Sequence, residues 1–155
     1  MPRIPPAPRH AYVDFSTLPT RWMDNDQYGH MNNMIHYSLI DTAVTNWQLQ
    51  HRVFDRSGND IRFLVVESGC VYHAEAGYPD LIHAGLRVGH IGSSSWRYEV
   101  GLFRNDDPLA FAEGFFSQVQ VDAQSGKPMP LSAPYRDQLG QLIPPLGENT
   151  GWANL

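Results

Sequence analysis

The chain has 155 residues, of which 42% are hydrophobic, and this is enough for one globular domain with a single core. Its net charge is −5, and with one lysine and no basic cluster it is a poor candidate for nucleic-acid binding, which depends on neutralising phosphates. No apolar run reaches the length of a membrane-spanning helix, so membrane insertion is not expected. The N-terminus lacks an apolar signal segment and Cys70 is the single cysteine, which together predict a cytoplasmic protein without an internal disulfide.

The first segments of the chain predict an arm, an extended stretch and a polar loop. Residues 1–9 contain four prolines, which disfavour a helix and predict a Pro-rich N-terminal arm that is loose or lies on a neighbouring molecule. Residues 10–22 have an extended pattern with a break at Leu18-Pro19. Residues 24–32 are polar and rich in turn formers, which predicts a loop leading to the next element.

A long helix is predicted after this loop, because apolar residues recur at spacings of three and four: Met34, Tyr37, Ile40, Val44 and Trp47. Asn32 or Asn33 can cap its first turn with a side-chain oxygen. A helix of about eighteen residues, at ~1.5 Å each, is a rod of roughly 27 Å. The Ser-Gly-Asn segment at 57–59 is expected to close this region.

Four strands are predicted after the helix, because β-branched and aromatic residues recur between turn signals; they cover 62–72, 81–91, 95–103 and 109–121. No helical pattern separates these strands, so we expect hairpins to join them in antiparallel pairs. A short helix is expected over 133–142 and a Pro/Gly-rich tail over 143–155. One long helix on an antiparallel sheet predicts an α+β fold, with a single domain at 10–142.

The chemically richest segment lies just before the helix. It contains two carboxylates, a histidine and two amides: Asp24, Asp26, His30, Asn32 and Asn33. A helix N-terminus presents unpaired N–H groups and a partial positive charge, which can hold a carbonyl oxygen that becomes an oxyanion. A carboxylate beside it can activate water or attack the carbonyl itself. The same residue types form ordinary capped loops, so the segment alone leaves catalysis and simple capping open.

The pattern Asp24-x-Asp26-x-x-Gly29-His30-x-Asn32-Asn33, followed by a helix, resembles the signature of the 4-hydroxybenzoyl-CoA thioesterase-like branch of the hotdog superfamily. Later landmarks resemble that family in the same order: Tyr78-Pro79-Asp80, Gly92-Ser93-Ser94-Ser95, Ala110-x-Ala112-Glu113-Gly114 and Val119-x-Val121-Asp122. The resemblance covers roughly residues 10–140. It implies a hotdog fold, in which one long central helix is wrapped by a curved antiparallel sheet of about five strands.

The resemblance also implies an activity, the hydrolysis of an acyl-CoA thioester to free acid and CoA without a cofactor. Asp26 matches the family's catalytic carboxylate, as nucleophile or as base for water, and the backbone N–H near Asn33 matches the group that polarises the thioester carbonyl. The family completes its site across a dimer interface, which implies a homodimer or homotetramer here. Ser94 and Ser95 match the hairpin that faces the pantetheine or the nucleotide.

Four further residues have either a functional role or a structural one, and the functional role is catalytic for His30 and substrate binding for the other three. His30 can orient substrate or act as an acid, or it can donate to a loop carbonyl. Asn32 either contacts the substrate or caps the helix with its side chain. Asp41 falls on the predicted apolar stripe, so it either lines a polar cavity for the substrate or bonds to a neighbouring strand or turn. Arg97 is a candidate for a CoA phosphate, since Ser93 stands where the family often has a basic residue; a solvated arginine is the alternative.

Other functions stay open beside acyl-CoA hydrolysis. One is a non-catalytic hotdog protein that binds acyl-CoA, and another is an acyl-carrier-protein thioesterase, although Tyr28 stands where that family has a catalytic Asn. A hydratase is disfavoured, because the motif of that family places His five positions after Asp, whereas His30 is four positions after Asp26. The histidines show no ligand spacing, so no metal site is predicted.

Overall fold

The computed structural model describes residues 3–54 and 60–145 of the chain. Within these ranges the elements follow the order β1 (Asp14–Pro19), α1 (Asn33–Gln50), β2 (Ile61–Tyr72), β3 (Leu81–Ile91), β4 (Ser95–Arg104), β5 (Ala112–Asp122) and α2 (Ala133–Gly140). Short 3-10 turns at Arg9–Ala11 and Trp22–Asp24 flank β1. Neither α-helix of these ranges is both long and apolar enough to cross a membrane. The turn predicted at 57–59 and most of the tail predicted at 143–155 lie outside the described ranges.

The strands form one antiparallel sheet in the order β1-β3-β4-β5-β2. Hairpins join β3 to β4 and β4 to β5, as expected. The expected pairing of β2 with β3 was wrong, because β2 crosses to the far edge of the sheet and pairs with β5. One main helix on one antiparallel sheet confirms the predicted α+β hotdog fold.

The central helix α1 forms where the hydrophobic period predicted it. Asn32 caps it, since Asn32 Oδ1 accepts a hydrogen bond from Met34 N at 3.0 Å. The face that packs against the sheet is apolar and carries Leu39, Ile40, Ala43, Val44 and Trp47. Met34, from the predicted stripe, is 66% exposed instead, because Leu39 and Ala43 take the places against the sheet.

The sheet is buried on both faces around β4. Its inner face packs against α1 through the alternating side chains Trp96, Tyr98, Val100 and Leu102. Its outer face is covered by the protein's own N-terminal segment, where Ala7, Ala11 and Tyr12 form a second apolar cluster with Phe103 and Ala110. The described part of the Pro-rich arm therefore lies on the sheet of its own chain.

β2 is an open edge of the sheet, because it pairs with β5 on one side only. Its register shifts between Val65 and Glu67, and Leu64, Val65 and Val66 are 44%, 49% and 63% exposed. A long apolar edge strand with unpaired backbone groups is suited to pairing with another chain. This edge ends at Tyr72, beside the N-terminus of α1.

Candidate active site

The loop before α1 closes into a tight turn around the half-buried Asp26. Asp26 N donates to the His30 carbonyl at 2.7 Å, and Gly29 N donates to the Asp26 carbonyl at 3.1 Å. Gly29 has a φ of +79°, a left-handed conformation that glycine adopts without strain. Asp26 Oδ1 accepts from Tyr28 N at 2.9 Å and from His30 N at 3.4 Å. These contacts of the described residues use one carboxylate oxygen, which leaves Oδ2 available to water or substrate.

Asp24 has a structural role in the same loop. It is 3% exposed, and its carboxylate accepts hydrogen bonds from Arg21 N, Nε and Nη2 at distances of 2.8, 3.0 and 2.8 Å. Its carbonyl accepts from Asn32 N at 2.8 Å. These bonds fix the two ends of the loop to each other, so Asp26 is held on a rigid base.

A cleft of about 530 Å³ opens between this loop, the first turn of α1 and the end of β2. Its lining includes Asp26, His30, Asn33, His36, Tyr72 and Glu75. The structure therefore brings together in one cleft the three residues that the sequence singled out as catalytic. Their roles in catalysis remain predictions.

The segment 74–76, called the cleft wall here, closes one side of the cleft and is tied to the loop at two points. His30 Nε2 lies 3.0 Å from Glu75 Oε2, and both side chains are largely exposed, so this pair contributes little energy. Met31 N donates to the Ala76 carbonyl at 2.7 Å, and both residues are buried. The backbone bond is therefore the firmer of the two ties.

His36 is a cleft residue that the sequence analysis did not single out. It is 4% exposed, its Nδ1 lies 3.2 Å from the Asn32 carbonyl, and its ring meets the Tyr72 ring edge to face at 4.7 Å between centroids. A carbonyl oxygen only accepts, so Nδ1 carries the ring proton. Burial lowers the pKa of His36 below its ordinary value of 6.5, which leaves Nε2 as an unprotonated acceptor at neutral pH. Its spacing of four from Asn32 on one helix face was a signal that could have identified it.

The N-terminus of α1 borders the cleft at Asn33. Because Asn33 is the first helical residue, its N–H has no acceptor within the helix. Its carbonyl accepts from Tyr72 Oη at 3.2 Å, which fastens the helix start to the end of β2. The Asn32 side chain is used for capping, so its predicted contact with substrate stays a prediction.

The residues predicted to contact pantetheine or nucleotide lie far from this cleft within one copy of the chain. Ser95 is seven residues along β4 from Leu102, which shares a row of the sheet with Tyr72. At ~3.4 Å per residue, the two rows are about 24 Å apart. Ser94 and Arg97 lie at the same distant end as Ser95. One chain therefore does not bring these residues to Asp26.

The local contacts of the distant residues leave their binding roles as predictions. The Arg97 guanidinium carbon lies 3.6 Å from the centre of the Phe115 ring, and among the described residues its buried Nε has no hydrogen-bond partner. The Ser94 carbonyl accepts from Gln120 N at 2.8 Å. Asp41 is exposed on α1, outside the face that packs against the sheet.

Cysteine and metal chemistry have no support in the described residues. Burial raises the pKa of the Cys70 thiol to about 11, so it stays protonated at neutral pH and is a poor nucleophile. Among residues 3–54 and 60–145, no group of three or more His, Cys, Asp or Glu side chains is placed to hold a metal ion.

Comparisons with known proteins identify the family of the chain. The model of the thioesterase-like superfamily matches residues 20–139. The PA5185 protein from Pseudomonas aeruginosa strain PAO1 is 38% identical, and the match covers 91% of this chain and 99% of that one with a TM-score of 0.85. The PA2801 protein from Pseudomonas aeruginosa is 26% identical over 81% of this chain and 97% of that one, with a TM-score of 0.74. No curated protein matches the chain.

A more distant structure shows the shared fold alone. It is a thioesterase from Thermus thermophilus complexed with coenzyme A and zinc, 23% identical over 85% of this chain and 95% of that one, with a TM-score of 0.71. The family match spans well over half of the sequence, so the chain belongs to the thioesterase-like superfamily. The reaction of this superfamily is thioester hydrolysis. The resemblance to hotdog thioesterases that the motifs indicated is confirmed.

We expect the buried His36 to make the stability of the protein sensitive to acid. The pKa of His36 is lowered in the folded state, so between that pKa and 6.5 the unfolded chain binds a proton that the folded chain does not. The contribution of neutral His36 to the free energy of unfolding is fully present above pH 6.5 and is lost as the pH falls toward the pKa of His36 in the folded state. We expect a His36→Phe variant to lose less unfolding free energy than the wild type between pH 8 and pH 5, measured by urea denaturation.

His51 offers a matched control, because its Nδ1 lies 2.9 Å from the Trp47 carbonyl four residues earlier, in the same local geometry but outside the cleft lining. His51→Phe should retain the acid sensitivity of the wild type. Equal losses in wild type and His36→Phe would contradict the assignment.

Proposed function

We propose that this protein hydrolyses an acyl-CoA thioester to a free acid and CoA. The proposal rests on one observation: Asp26 and Asn33, the first residue of α1, line the same cleft. A carboxylate and a free helix N-terminus are the two groups that acyl transfer to water requires. Membership of the thioesterase-like superfamily supports the reaction class, and the coenzyme A held by the Thermus relative supports CoA as the thiol carrier.

In the proposed reaction the thioester carbonyl oxygen points at the N-terminus of α1, where the Asn33 N–H donates to it. As the carbonyl carbon becomes tetrahedral, the negative charge on its oxygen is held by this N–H and by the helix dipole. Asp26 either takes a proton from the water that attacks the carbon, or attacks the carbon itself to form a mixed anhydride that water then hydrolyses. In both routes the C–S bond breaks and the water oxygen ends in the acid.

The leaving thiolate needs a proton, and His30 is the group proposed to supply it. Its side chain is 47% exposed at the cleft and its Nε2 lies 3.0 Å from Glu75 Oε2, so the ring borders the cleft and stays open to solvent. Orienting the substrate is the other role compatible with this position. Asn32 is proposed to keep the helix start rigid beside the bound thioester.

The proposed assembly is a homodimer, or a tetramer built from such dimers, formed through the open edge of β2. Antiparallel pairing of two β2 strands satisfies the unpaired backbone groups and buries Leu64, Val65 and Val66, which a monomer leaves exposed. A two-fold axis near Val66 brings the Ile61 end of the partner's β2 beside the Tyr72 end of this strand. The cleft then borders the partner chain.

This assembly supports a shared substrate site. The row of the sheet that contains Ser95 also contains Leu64, near the start of β2. Antiparallel pairing of two β2 strands therefore carries the partner's Ser94, Ser95 and Arg97 toward the cleft. The chain's own Ser95 lies about 24 Å from that cleft. We propose that they contact the pantetheine or nucleotide of CoA. Asp41, exposed on the helix along which the acyl chain is proposed to lie, is proposed to contact the substrate from that side.

The catalytic assignment predicts that Asp26→Asn lowers kcat by about 100-fold or more, because general-base or nucleophilic action by the carboxylate is lost. Acyl-CoA binding and the unfolding midpoint should change little, since Asn retains the oxygen that accepts from Tyr28 N. The measurement is thiol release from acetyl-CoA through palmitoyl-CoA, benzoyl-CoA and phenylacetyl-CoA, with binding followed by calorimetry.

Asp106→Asn, an exposed carboxylate in the β4–β5 hairpin, is the matched control and should retain full activity. Near-wild-type hydrolysis by Asp26→Asn would show that the assigned mechanism is wrong. A folded wild-type protein that binds acyl-CoA but releases no thiol from any member would favour a binding role, and one that binds none would favour a carrier-protein substrate.

If the assembly forms through β2, a charged side chain on the edge of β2 should lower the molecular mass of the protein in solution. Wild type should have the mass of a dimer or tetramer by light scattering, and Val66→Lys should shift it toward the monomer and lower thioester hydrolysis with it, because a lysine opposes edge pairing. Leu109→Lys, at 48% exposure in the β4–β5 hairpin, should change neither. A stable wild-type monomer with full activity would contradict the shared site.

A further inference from the structure

The outer face of the sheet carries a buried polar network outside the cleft lining. Residues 7–12, called the strap here, cross this face: the Ala7 carbonyl accepts from Ala110 N at 3.0 Å. Arg9 fastens the middle of the strap by donating to the carbonyls of Asp107 and Asn105 at 2.9 and 2.7 Å. The strap therefore lies in one fixed position over the sheet.

Glu113 is the common acceptor of this network. It is 1% exposed, and its carboxylate accepts from Tyr12 Oη at 2.8 Å, from Ala7 N at 3.2 Å and from His73 Nε2 at 2.8 Å. Burial and the neighbouring Glu113 raise the pKa of Tyr12 well above its ordinary value, so its hydroxyl remains a donor. A buried carboxylate is tolerated because donors surround it, and removal of one donor leaves it short of a partner.

His73 links this network to the active-site cleft, because it immediately precedes the cleft wall at 74–76. The backbone N–H groups of His73 and Ala74 both donate to the Phe111 carbonyl, at 2.8 and 3.0 Å. Beyond them, the Ala76 carbonyl accepts from Met31 N at 2.7 Å. The wall is thus held from the outer face at His73 and holds the Asp26 loop at Met31.

We propose that Glu113 and His73 are positioning residues, which fix the cleft wall from behind and through it the loop that carries Asp26. The activity readout of this inference rests on the proposed thioesterase function, whereas its structural readout does not. A displacement of about 1 Å at reacting groups lowers rates by up to about 100-fold. Loss of the hydrogen bond between His73 and Glu113 would therefore lower turnover by shifting the cleft wall, although neither residue contacts the substrate.

The direct test replaces His73 with residues that differ in reach. His73→Leu removes the donor to Glu113, whereas His73→Gln keeps an amide N–H of similar reach. We expect kcat to fall about tenfold in His73→Leu and to stay within about threefold of wild type in His73→Gln, with little change in KM. If His73→Leu does not fold, His73→Asn serves in its place, because its shorter amide does not reach Glu113.

A second buried ion pair on the outer face provides the matched control. Arg87 Nε lies 2.9 Å from Glu99 Oε2, and the two side chains are 5% and 3% exposed, on β3 and β4 rather than beside the wall. Glu99→Gln should lower the melting temperature as His73→Leu does but leave kcat unchanged. An equal fall of kcat in both variants would mean that buried pairs act through general stability, which overturns the proposal.

Hydrogen exchange separates this inference from the proposed function. In His73→Leu the Met31 amide should exchange about tenfold faster, while amides in the β3–β4 pairing keep wild-type protection, since only the wall loosens. Unchanged Met31 exchange, or wild-type kcat in His73→Leu, would overturn the positioning role. If wild type hydrolyses no thioester, the proposed function fails and the Met31 exchange alone decides whether Glu113 and His73 position the wall.

Discussion

The packing of one face of α1 against the sheet is the constraint from which the rest of the structure follows. Ile40, Val44 and Trp47 are almost fully buried, so neither the axial position nor the rotation of the helix is free. With the helix held there, its N-terminus must lie beside the end of β2, where Tyr72 Oη donates to the Asn33 carbonyl. Asn33, the first residue of the helix, and the Asp26 loop then border one cleft. A polar cleft is thus formed at the rim of an apolar core.

The outer face of the sheet, opposite α1, buries charged side chains as well as apolar ones. It is covered by a short N-terminal strap, and it buries the carboxylates Glu99 and Glu113 at 3% and 1% exposure. Each is matched by donors, Arg87 for one and His73 with the strap for the other. Buried charges of this kind contribute little net stability, because desolvation offsets their attraction, but they fix geometry. On this account the inner face supplies the chemistry and the outer face supplies its alignment.

The sequence predicted those features that depend on neighbouring residues. The sequence predicted the hydrophobic period of α1 and its Asn32 cap. It also predicted the grouping of Asp26, His30 and Asn33, because these residues are close together along the loop and the start of the helix. Tyr72 and Glu75 were not predicted, since they reach the cleft only through the crossing of β2 to the far edge of the sheet. Hydrophobic spacing placed Met34 on the buried stripe although it is exposed, because spacing gives a period and not the rotation of the helix against its partner. The family resemblance implied that Ser94 and Ser95 face the pantetheine or nucleotide, with Arg97 as a candidate for a CoA phosphate. Within one chain the length of β4 keeps these residues away from Asp26.

A crystal structure of the Asp26→Asn variant with an acyl-CoA bound would test most directly whether Asp26 and the Asn33 N–H act on the thioester. We expect the thioester carbonyl oxygen to lie about 3 Å from Asn33 N, with the side chain at position 26 facing the carbonyl carbon. We also expect the nucleotide to lie against the partner's Ser94-to-Arg97 segment. An acyl-CoA bound instead in the separate cleft lined by Phe63 and Tyr135, away from the N-terminus of α1, would contradict the assignment of Asp26 and Asn33 as the catalytic groups.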